Sequence, residues 1–317
     1  MTSSCKDMET AIYRGLDFIL KRQDKAGFWS DWDLPPGPSP DWTTAYIGLR
    51  LSGLGPLLST GLSCRLDRAA LWLLGRQFPD GGWGYNNDVG SDADSTAQAI
   101  LFLATTGHTV PCEAYTHLAR FQCPDGGFST FLPDALTGSW GLSHPEITPV
   151  VLLAFRTHPK GVPENILAPG LAWIRRARSA DGIWHSFWWS TPLPATEANL
   201  TLLATLGTPE PLPPALAQWE PDDSLEAAHL ISIAAVVEPT PCTESVIRLL
   251  ISDQASDGSW QSAPSLRVTS RSSVRPWKEP MQGPLFTDPR RLFSTATAIS
   301  ALGKVYRNMT GELPQVQ

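Results

Sequence analysis

QFPDGGW at residues 77–83 decides the fold, because related copies of it recur along the whole chain. A copy begins with Gln or Arg, has Gly four residues later and usually ends with an aromatic residue six residues later. The other copies are QDKAGFW at 23–29, QCPDGGF at 122–128, RSADGIW at 178–184 and QASDGSW at 254–260. A degenerate sixth copy falls at Gln218-Trp219. Such recurrence at intervals of tens of residues is typical of proteins built from repeated helical units.

Each copy lies between two segments of different character. The segment before it is amphipathic, as in DRAALWLLGRQ at 67–77, and the segment after it is apolar nearly all round, as in STAQAILFLATTG at 95–107. An amphipathic helix fits the outside of a protein, whereas a helix that is apolar on every face is buried. Six outer–inner pairs that close on themselves predict an all-α protein, an (α/α)6 toroid, formed by one domain over 1–317. A long basic loop is expected at about 261–291.

The repeated element resembles the QW repeat of squalene-hopene cyclases, oxidosqualene cyclases and plant class II diterpene cyclases. The resemblance covers nearly the whole chain and implies that the Gln and Trp side chains tie outer helices to neighbouring turns. Protein prenyltransferase subunits carry related repeats, so the repeats predict a fold and leave the activity open.

Superposing the six apolar segments identifies the residues at the N-terminal rim of the inner helices, where the mouth of a central cavity is expected. The superposition uses Ala45, Ala97, Pro149, Ala198, Ala227 and Ala296. The residues three positions earlier are Trp42, Asp94, Glu146, Ala195, Ser224 and Phe293. Of these six, only Asp94 and Glu146 carry a carboxyl group that could do acid–base chemistry.

Asp94 is the strongest candidate for a catalytic acid. It follows Asp92 at the start of an apolar helix. Two carboxyl groups in one pocket cannot both ionise cheaply, so one proton is retained at higher pH. The helix N-terminus then stabilises the carboxylate that remains after proton transfer. The same residues also fit a structural role, because Asp and Ser are favoured helix N-caps.

The segment from Asp92 to Ala97 resembles the Asp–x–Asp–Asp–Thr–Ala motif of class II terpene cyclases. Asp94 matches the proton donor and Asp92 the first Asp, while Ser95 replaces the last Asp. The pattern is nearer to the Asp–x–Asp–Thr–Thr variant of drimenyl diphosphate synthase-like cyclases. This implies a class II, protonation-initiated cyclase that converts a linear isoprenoid, with farnesyl diphosphate the expected substrate, to a drimane-type bicycle with the diphosphate retained. The His that supports the acid in squalene-hopene cyclases has no counterpart here, since Val150 falls at that position.

The expected substrate-binding residues form two groups. Aromatic rings would stabilise carbocations by cation–π contacts, and guanidinium groups of the long loop would bind a diphosphate. The first group, with two polar rim residues, is Trp42, Trp140, Trp188, Phe293, Ser95 and Glu146. The second is Arg267, Arg271 and Arg275.

Composition limits the partners. The formal net charge of −7 argues against nucleic acid, and five scattered cysteines suggest reduced thiols and no zinc site. No metal bound by the protein is predicted, although Mg²⁺ could accompany the substrate diphosphate. With no signal peptide and no transmembrane segment visible, a cytoplasmic location is expected. Homodimer formation stays open, because many class II pockets lie between two domains.

Three other functions compete with cyclisation. A non-catalytic toroid could bind a lipid or a protein. A prenyltransferase-like subunit would need Asp, Cys and His converging on zinc, and the chain has no Asp–x–Cys element. An (α/α)6 glycosidase could use Asp94 and Glu146 as its carboxyl pair.

Overall fold

The computed structural model describes residues 3–54, 60–134, 137–237, 242–279 and 283–310. In these ranges the protein is mostly helical, as the sequence predicts. The α-helices are α1 Ser3–Lys21, α2 Pro40–Ser52, α3 Thr60–Leu74, α4 Ala93–Thr105, α5 Cys112–Ala119, α6 Ile147–Arg156, α7 Glu164–Ala177, α8 Leu193–Thr205, α9 Ser224–Val236, α10 Cys242–Ser252 and α11 Leu292–Thr310. Two 3₁₀ turns lie at Gly138–Gly141 and Pro214–Leu216.

Six of the helices form a closed inner ring. Helix α2 packs on α4, α4 on α6, α6 on α8, α8 on α9, α9 on α11, and α11 returns to α2. These are the six apolar segments, and their buried residues are mainly small or aliphatic. The ring therefore follows from the apolar pattern, because each helix can bury all of its faces only between two neighbours and an outer layer.

The outer layer departs from the prediction at one unit. Helices α1, α3, α5, α7 and α10 pack outside the ring, which gives five outer helices in the described ranges. The 3₁₀ turn Pro214–Leu216 lies where the sixth was expected. The cause is local: Pro211, Pro213 and Pro214 remove backbone donors and fix φ, so an α-helix cannot form there.

The repeated element makes similar contacts in its five clear copies: the Gln or Arg side chain donates to the Gly carbonyl in all five, and the indole donates to the preceding outer helix in the four copies that end in Trp. In the copy at 77–83, the Gln77 amide donates to the Gly81 carbonyl at 2.7 Å and the Trp83 indole donates to the Leu73 carbonyl at 2.8 Å. Gly81 has φ 93°, and an added Cβ would lie 2.8 Å from the carbonyl oxygen of Glu113 on the next outer helix. Only Gly allows this turn and this close approach.

A threonine anchors each of these turns to the inner helix that follows. Thr96 Oγ1 accepts the Trp83 backbone N–H at 3.0 Å. Equivalent bonds are made by Thr44, Thr148, Thr196 and Thr295. The turn therefore fixes the position of the first helical turn, and with it the residue two positions before each threonine.

The loops that precede the inner helices pack together over the N-terminal end of the ring. Strands β1 Asp33–Leu34 and β2 Gly37–Pro38 pair in one hairpin, and β3 Leu266–Arg267 pairs with β4 Leu285–Phe286 in the long basic loop. Trp189 forms an isolated bridge with Leu266. The basic loop thus contains a small hairpin that is attached to the neighbouring loop.

Candidate active site

The inner ring encloses a cavity of about 420 Å³. Its lining is largely apolar and aromatic, and the loops contribute Trp32, Phe131, Trp188, Trp189 and Leu266.

Asp94 lies in the first turn of α4 and lines this cavity. Its Oδ2 accepts a hydrogen bond of 2.7 Å from the indole N–H of Trp42 on the neighbouring helix α2. Burial raises the pKa of Asp94, against the lowering effect of hydrogen bonds from Trp42 and Gln98. The rim superposition had placed Trp42 and Asp94 at equivalent positions of adjacent units, and the structure brings them into direct contact.

Asp92 has two roles in the structure. It is the N-cap of α4 and accepts bonds of 2.7 Å from both the backbone N–H and the hydroxyl of Ser95. It also lines the cavity. Burial, with the nearby charge of Asp94, raises the pKa of Asp92 to about 7. The pair therefore holds a proton near neutral pH.

Glu146 is a third buried carboxyl at this end of the cavity. Its Oε1 accepts the backbone N–H groups of Phe187 and Trp188 at 2.7 and 2.6 Å, while its buried Oε2 has no partner among the described residues. Burial raises the pKa of Glu146 to about 7, against these hydrogen bonds. Asp92, Asp94 and Glu146 are called the acidic end below.

Aromatic rings surround the acidic end. Trp42 stacks on Tyr46 with ring centroids 5.0 Å apart, and Phe293 lies 4.7 Å from Tyr46 and 5.1 Å from Trp189. Trp188 donates its indole N–H to Thr130 at 2.7 Å. An apolar cavity with aromatic faces excludes water and stabilises positive charge.

Several predicted binding residues lie elsewhere. Trp140 is behind Trp188, with ring centroids 5.3 Å apart, and donates to the Thr269 hydroxyl. Arg271 and Arg275 are exposed, and the Arg271 guanidinium lies 5.1 Å from the Trp140 ring. The loop is held in this position by backbone bonds such as Ser139 N–H to the Arg271 carbonyl at 2.7 Å. None of the three residues is among those that line the cavity, and their part in substrate binding stays a prediction.

Arg267 also differs from its expected role. Its backbone N–H bonds to the Trp188 carbonyl, and its half-buried side chain reaches the Phe187 and Ser190 carbonyls at 3.5 and 3.4 Å. It is not among the cavity-lining residues. The side chain thus fastens one covering loop to another.

The superposition was one residue out of register in the fourth unit. Thr196, and not Glu197, makes the bond that Thr96 makes in the second unit. Pro194 therefore lines the cavity and Ala195 does not. Ser224 does not line it either.

Sequence reasoning missed a second polar group in the same cavity. Arg50 of α2, Glu197 of α8, His229 of α9 and Lys304 and Arg307 of α11 all line it and are called the basic cluster below. The sequence did contain a signal for this cluster, namely charged residues within otherwise apolar inner helices. Charged residues are rarely buried without partners, so their presence there indicates a buried charged group.

The chain resembles class II terpene cyclases in sequence over limited stretches. It is 31% identical over 122 residues to drimenyl diphosphate synthase of Streptantibioticus cattleyicolor, which covers 38% of this chain and 23% of that protein. It is 24% identical over 193 residues to the squalene–hopene cyclase of Bradyrhizobium diazoefficiens, covering 50% and 28%. The matches thus span roughly a quarter of the length of these relatives. No protein-family model matches the chain.

Solved structures match nearly the whole chain. The type II terpene cyclase MstE from Scytonema superposes with a TM-score of 0.83 at 22% identity, covering 95% of this chain and 98% of that one. The fold is that of the type II terpene cyclases. A protein from Actinoplanes shares it with a TM-score of 0.80 at 25% identity, over 94% and 99% of the two chains.

The predicted resemblance to class II terpene cyclases is thereby confirmed. An unsaturated glucuronyl hydrolase specific for heparin superposes less closely on this type II terpene cyclase fold, with a TM-score of 0.56 at 12% identity. The helical architecture of the present chain therefore also occurs in a protein whose named activity is not terpene cyclisation.

Two findings concern metals and membranes. Among the described residues, no group of three or more His, Cys, Asp or Glu side chains is placed to hold a metal ion. None of the helices in those ranges combines the length and the apolar character needed to cross a bilayer.

Proposed function

We propose that this protein is a class II terpene cyclase, which starts the cyclisation of a linear isoprenoid by proton transfer from Asp94. The observation that carries the proposal is the arrangement of Asp94, which is bound to the Trp42 indole, lies beside Asp92 and faces an apolar aromatic cavity. The toroid of paired helices, of which six inner and five outer are described, supplies the walls.

The chemistry follows from the residues. A protonated Asp94 gives its proton to the less substituted carbon of the terminal C=C bond, which leaves a tertiary cation at the other carbon. The remaining C=C bonds attack in turn, and each attack forms one ring bond and moves the cation along the chain. Loss of a proton to a base ends the sequence, so the product is an isomer of the substrate.

The site favours this step for two reasons. Burial keeps a proton on the carboxyl pair near neutral pH. After transfer, the Trp42 N–H and the N-terminus of α4 stabilise the Asp94 carboxylate. The partner that squalene-hopene cyclases supply as His is replaced in this proposal by a Trp from the preceding unit.

The expected substrate is farnesyl diphosphate and the expected product a drimane-type bicycle that retains its diphosphate. The sequence similarity to drimenyl diphosphate synthases and the size of the cavity support this, since about 420 Å³ lies within the ~300–1,000 Å³ usual for ligand pockets. MstE has been solved with geranylgeranyl dihydroxybenzoate as substrate, so a longer chain with an aromatic acid head is the second candidate. Mg²⁺ would enter with a diphosphate substrate, and a homodimer remains an open proposal.

The experiment is an incubation of the protein with C10, C15 and C20 prenyl diphosphates and Mg²⁺, followed by phosphatase and mass spectrometry. A cyclic alcohol that forms with the native protein and is lost with Asp94→Asn supports the proposal. The control is Asp88→Asn, which changes an exposed Asp in a nearby loop and should leave the product intact. A cyclic product that persists in Asp94→Asn would remove Asp94 as the proton donor, and no product from any isoprenoid would favour the lipid- or protein-binding toroid.

A further inference from the structure

The basic cluster contains an ion network that joins four inner helices, α2, α8, α9 and α11. Glu197 Oε1 accepts from Lys304 Nζ at 2.8 Å and from Arg50 at 3.4 Å. Its other oxygen lies 2.6 Å from His229 Nδ1. Glu197 and His229 are almost fully buried, and the side chains of Arg50 and Lys304 are about one-fifth exposed.

The charges of the network do not balance. Among the described residues, three cations, Arg50, Lys304 and Arg307, face one carboxylate, which leaves an excess of positive charge at this end of the cavity. Cations removed from water are costly unless an anion pairs with them. The charge of the network would therefore be balanced better by a further anion.

Two donor groups of the cluster are also unused. Arg50 Nε is buried and has no partner among the described residues. The Arg307 side chain makes no hydrogen bond or ion pair with any residue that the structure describes, although it lines the cavity. Buried donors nearly always have partners, so these groups indicate a ligand that brings acceptors.

The distance between the two ends fits an isoprenoid. Trp42 and Arg50 are eight residues apart on α2, or ~12 Å at the helical rise; Phe293 and Lys304 are eleven apart on α11, or ~16 Å. An extended isoprene unit of four C–C bonds is roughly 5 Å long, from bonds of about 1.5 Å. A C15 or C20 chain can therefore place its terminal C=C at Asp94 and its head at the cluster.

The cluster also lies next to the surface. Gly53, which is exposed, lines the same end of the cavity. A substrate that enters with its apolar tail first would leave a charged head at this end. The loops cover the opposite end, where the acids lie.

We propose that the basic cluster binds the anionic head group of the substrate, a diphosphate or a carboxylate, and that Arg307 contacts it directly. This rests on the proposed function for the identity of the substrate. The cluster takes the place that the sequence assigned to Arg267, Arg271 and Arg275.

Binding without turnover tests the proposal. Asp94→Asn protein is titrated, by tryptophan fluorescence, with farnesyl diphosphate, farnesoic acid, farnesol and inorganic pyrophosphate. Adding Arg307→Gln is expected to weaken farnesyl diphosphate binding by about 10-fold or more, the effect of one hydrogen bond between charged groups, and to leave farnesol unchanged. Arg307→Lys should restore part of the affinity.

The controls distinguish head-group binding by Arg307 from a purely structural role of Arg307 and from head-group binding by the basic loop. Arg307 has no ion-pair partner among the described residues, so its variants should melt at the native temperature. Arg275→Gln changes an exposed loop arginine and should not alter binding. Whichever of farnesyl diphosphate and farnesoic acid binds more tightly identifies the head group.

The outcomes distinguish the two proposals. Charge-dependent binding at Arg307 together with no cyclic product would keep the head-group site and reject cyclisation. Weaker binding in Arg275→Gln but not in Arg307→Gln would overturn the head-group site in favour of the loop. Equal affinity for farnesol and both anions would also overturn it.

Discussion

The acidic end and the basic cluster occupy one cavity, yet they treat buried carboxyl groups in opposite ways. At the acidic end, burial raises the pKa of Asp92 and of Glu146 to about 7 against the lowering effect of the hydrogen bonds that they accept, and no cation among the described residues forms an ion pair with either. In the basic cluster, burial acts in the same direction on Glu197, but Lys304 and Arg50 hold its pKa well below its usual range. At similar burial, the pKa of the carboxyl groups is therefore raised at one end, and that of Glu197 is lowered by cations at the other.

The comparison shows how one apolar ring can hold a reactive group and a fixed charge together. A carboxyl without a cation keeps its proton and can give it away. A carboxylate between cations cannot, but it fixes those cations in position for an anion. The two ends differ in the side chains that the inner helices, among them α8, α9 and α11, direct at the cavity. Each mutation predicted below removes one of the interactions that distinguish the two ends.

The largest effect is expected at the reactive carboxyl. Asp94→Asn leaves an amide that cannot protonate an alkene, so turnover should fall by about 10³-fold or more, near the upper range for a general acid. The Trp42 donor still has an oxygen to bind, and the circular dichroism and melting temperature should stay near the native values. Turnover within about 10-fold of native would show that Asp92 or Glu146 supplies the proton.

The next largest effect is expected on stability at the basic cluster. Glu197→Gln removes the anion that compensates Arg50 and Lys304, and breaking such a buried network costs on the order of 3 kcal/mol. The free energy of unfolding should fall by this amount in urea titrations at pH 7. Glu244→Gln breaks an exposed pair with Arg248 and should change it by less than about 0.5 kcal/mol. Equal effects in the two variants would mean that the cluster is not a buried network.

The pH dependence of stability should have opposite signs at the two ends. Asp92 ionises at about 3.9 in an unfolded chain but at about 7 in the folded one. The folded protein then binds more protons between these values, so the stability from Asp92 is complete below about pH 4 and is lost as the pH rises to about 7. Glu197 contributes in the other direction: its stability is present above about pH 4.3 and is lost as the pH falls through its lowered pKa.

Asp92→Asn isolates the first of these terms. Its amide can still cap α4 through the Ser95 N–H, and it carries no charge at any pH. The variant should be more stable than native protein at pH 8, by on the order of 1–3 kcal/mol, and should equal or trail it at pH 4. Urea titrations at both pH values measure this. A difference that does not change with pH would show that Asp92 titrates normally.

Much of the fold could be predicted because its signals are local. The Gln or Arg of each clear copy bonds to the Gly four residues later, and the Trp, where present, bonds to a carbonyl ten residues earlier. The Gly81 turn requires glycine whatever the rest of the chain does. The position of Asp94 could be predicted for the same reason, since the repeat fixes its place in the first helical turn. The fourth unit failed because two candidate residues, Thr196 and Glu197, are adjacent, and only the bond to the Trp184 backbone decides between them.

The basic cluster could not be predicted because it depends on how separate helices rotate. Arg50 and Lys304 are 254 residues apart in the sequence and meet only when α11 closes the ring on α2. The loop arginines looked more suitable because they lie close together and in a basic context. Yet a hairpin and backbone bonds orient that loop, and these fix Arg271 on Trp140 and away from the cavity.

The smallest effect expected is that of the donor to Asp94. Trp42→Phe keeps the ring against Tyr46 and Phe293 but removes the N–H that stabilises the carboxylate, so the pKa of Asp94 should rise further. A weaker acid protonates an alkene more slowly, and kcat should fall by about 10-fold while the alkaline fall of the pH–rate profile moves to higher pH. Trp189→Phe, which changes a ring stacked on Phe293, should leave that profile in place. Both variants could instead slow the reaction equally and leave the pH–rate profile unchanged. That result would show that the aromatic rings contribute to the rate and that the hydrogen bond to Asp94 does not. Burial alone would then account for the raised pKa values at the acidic end.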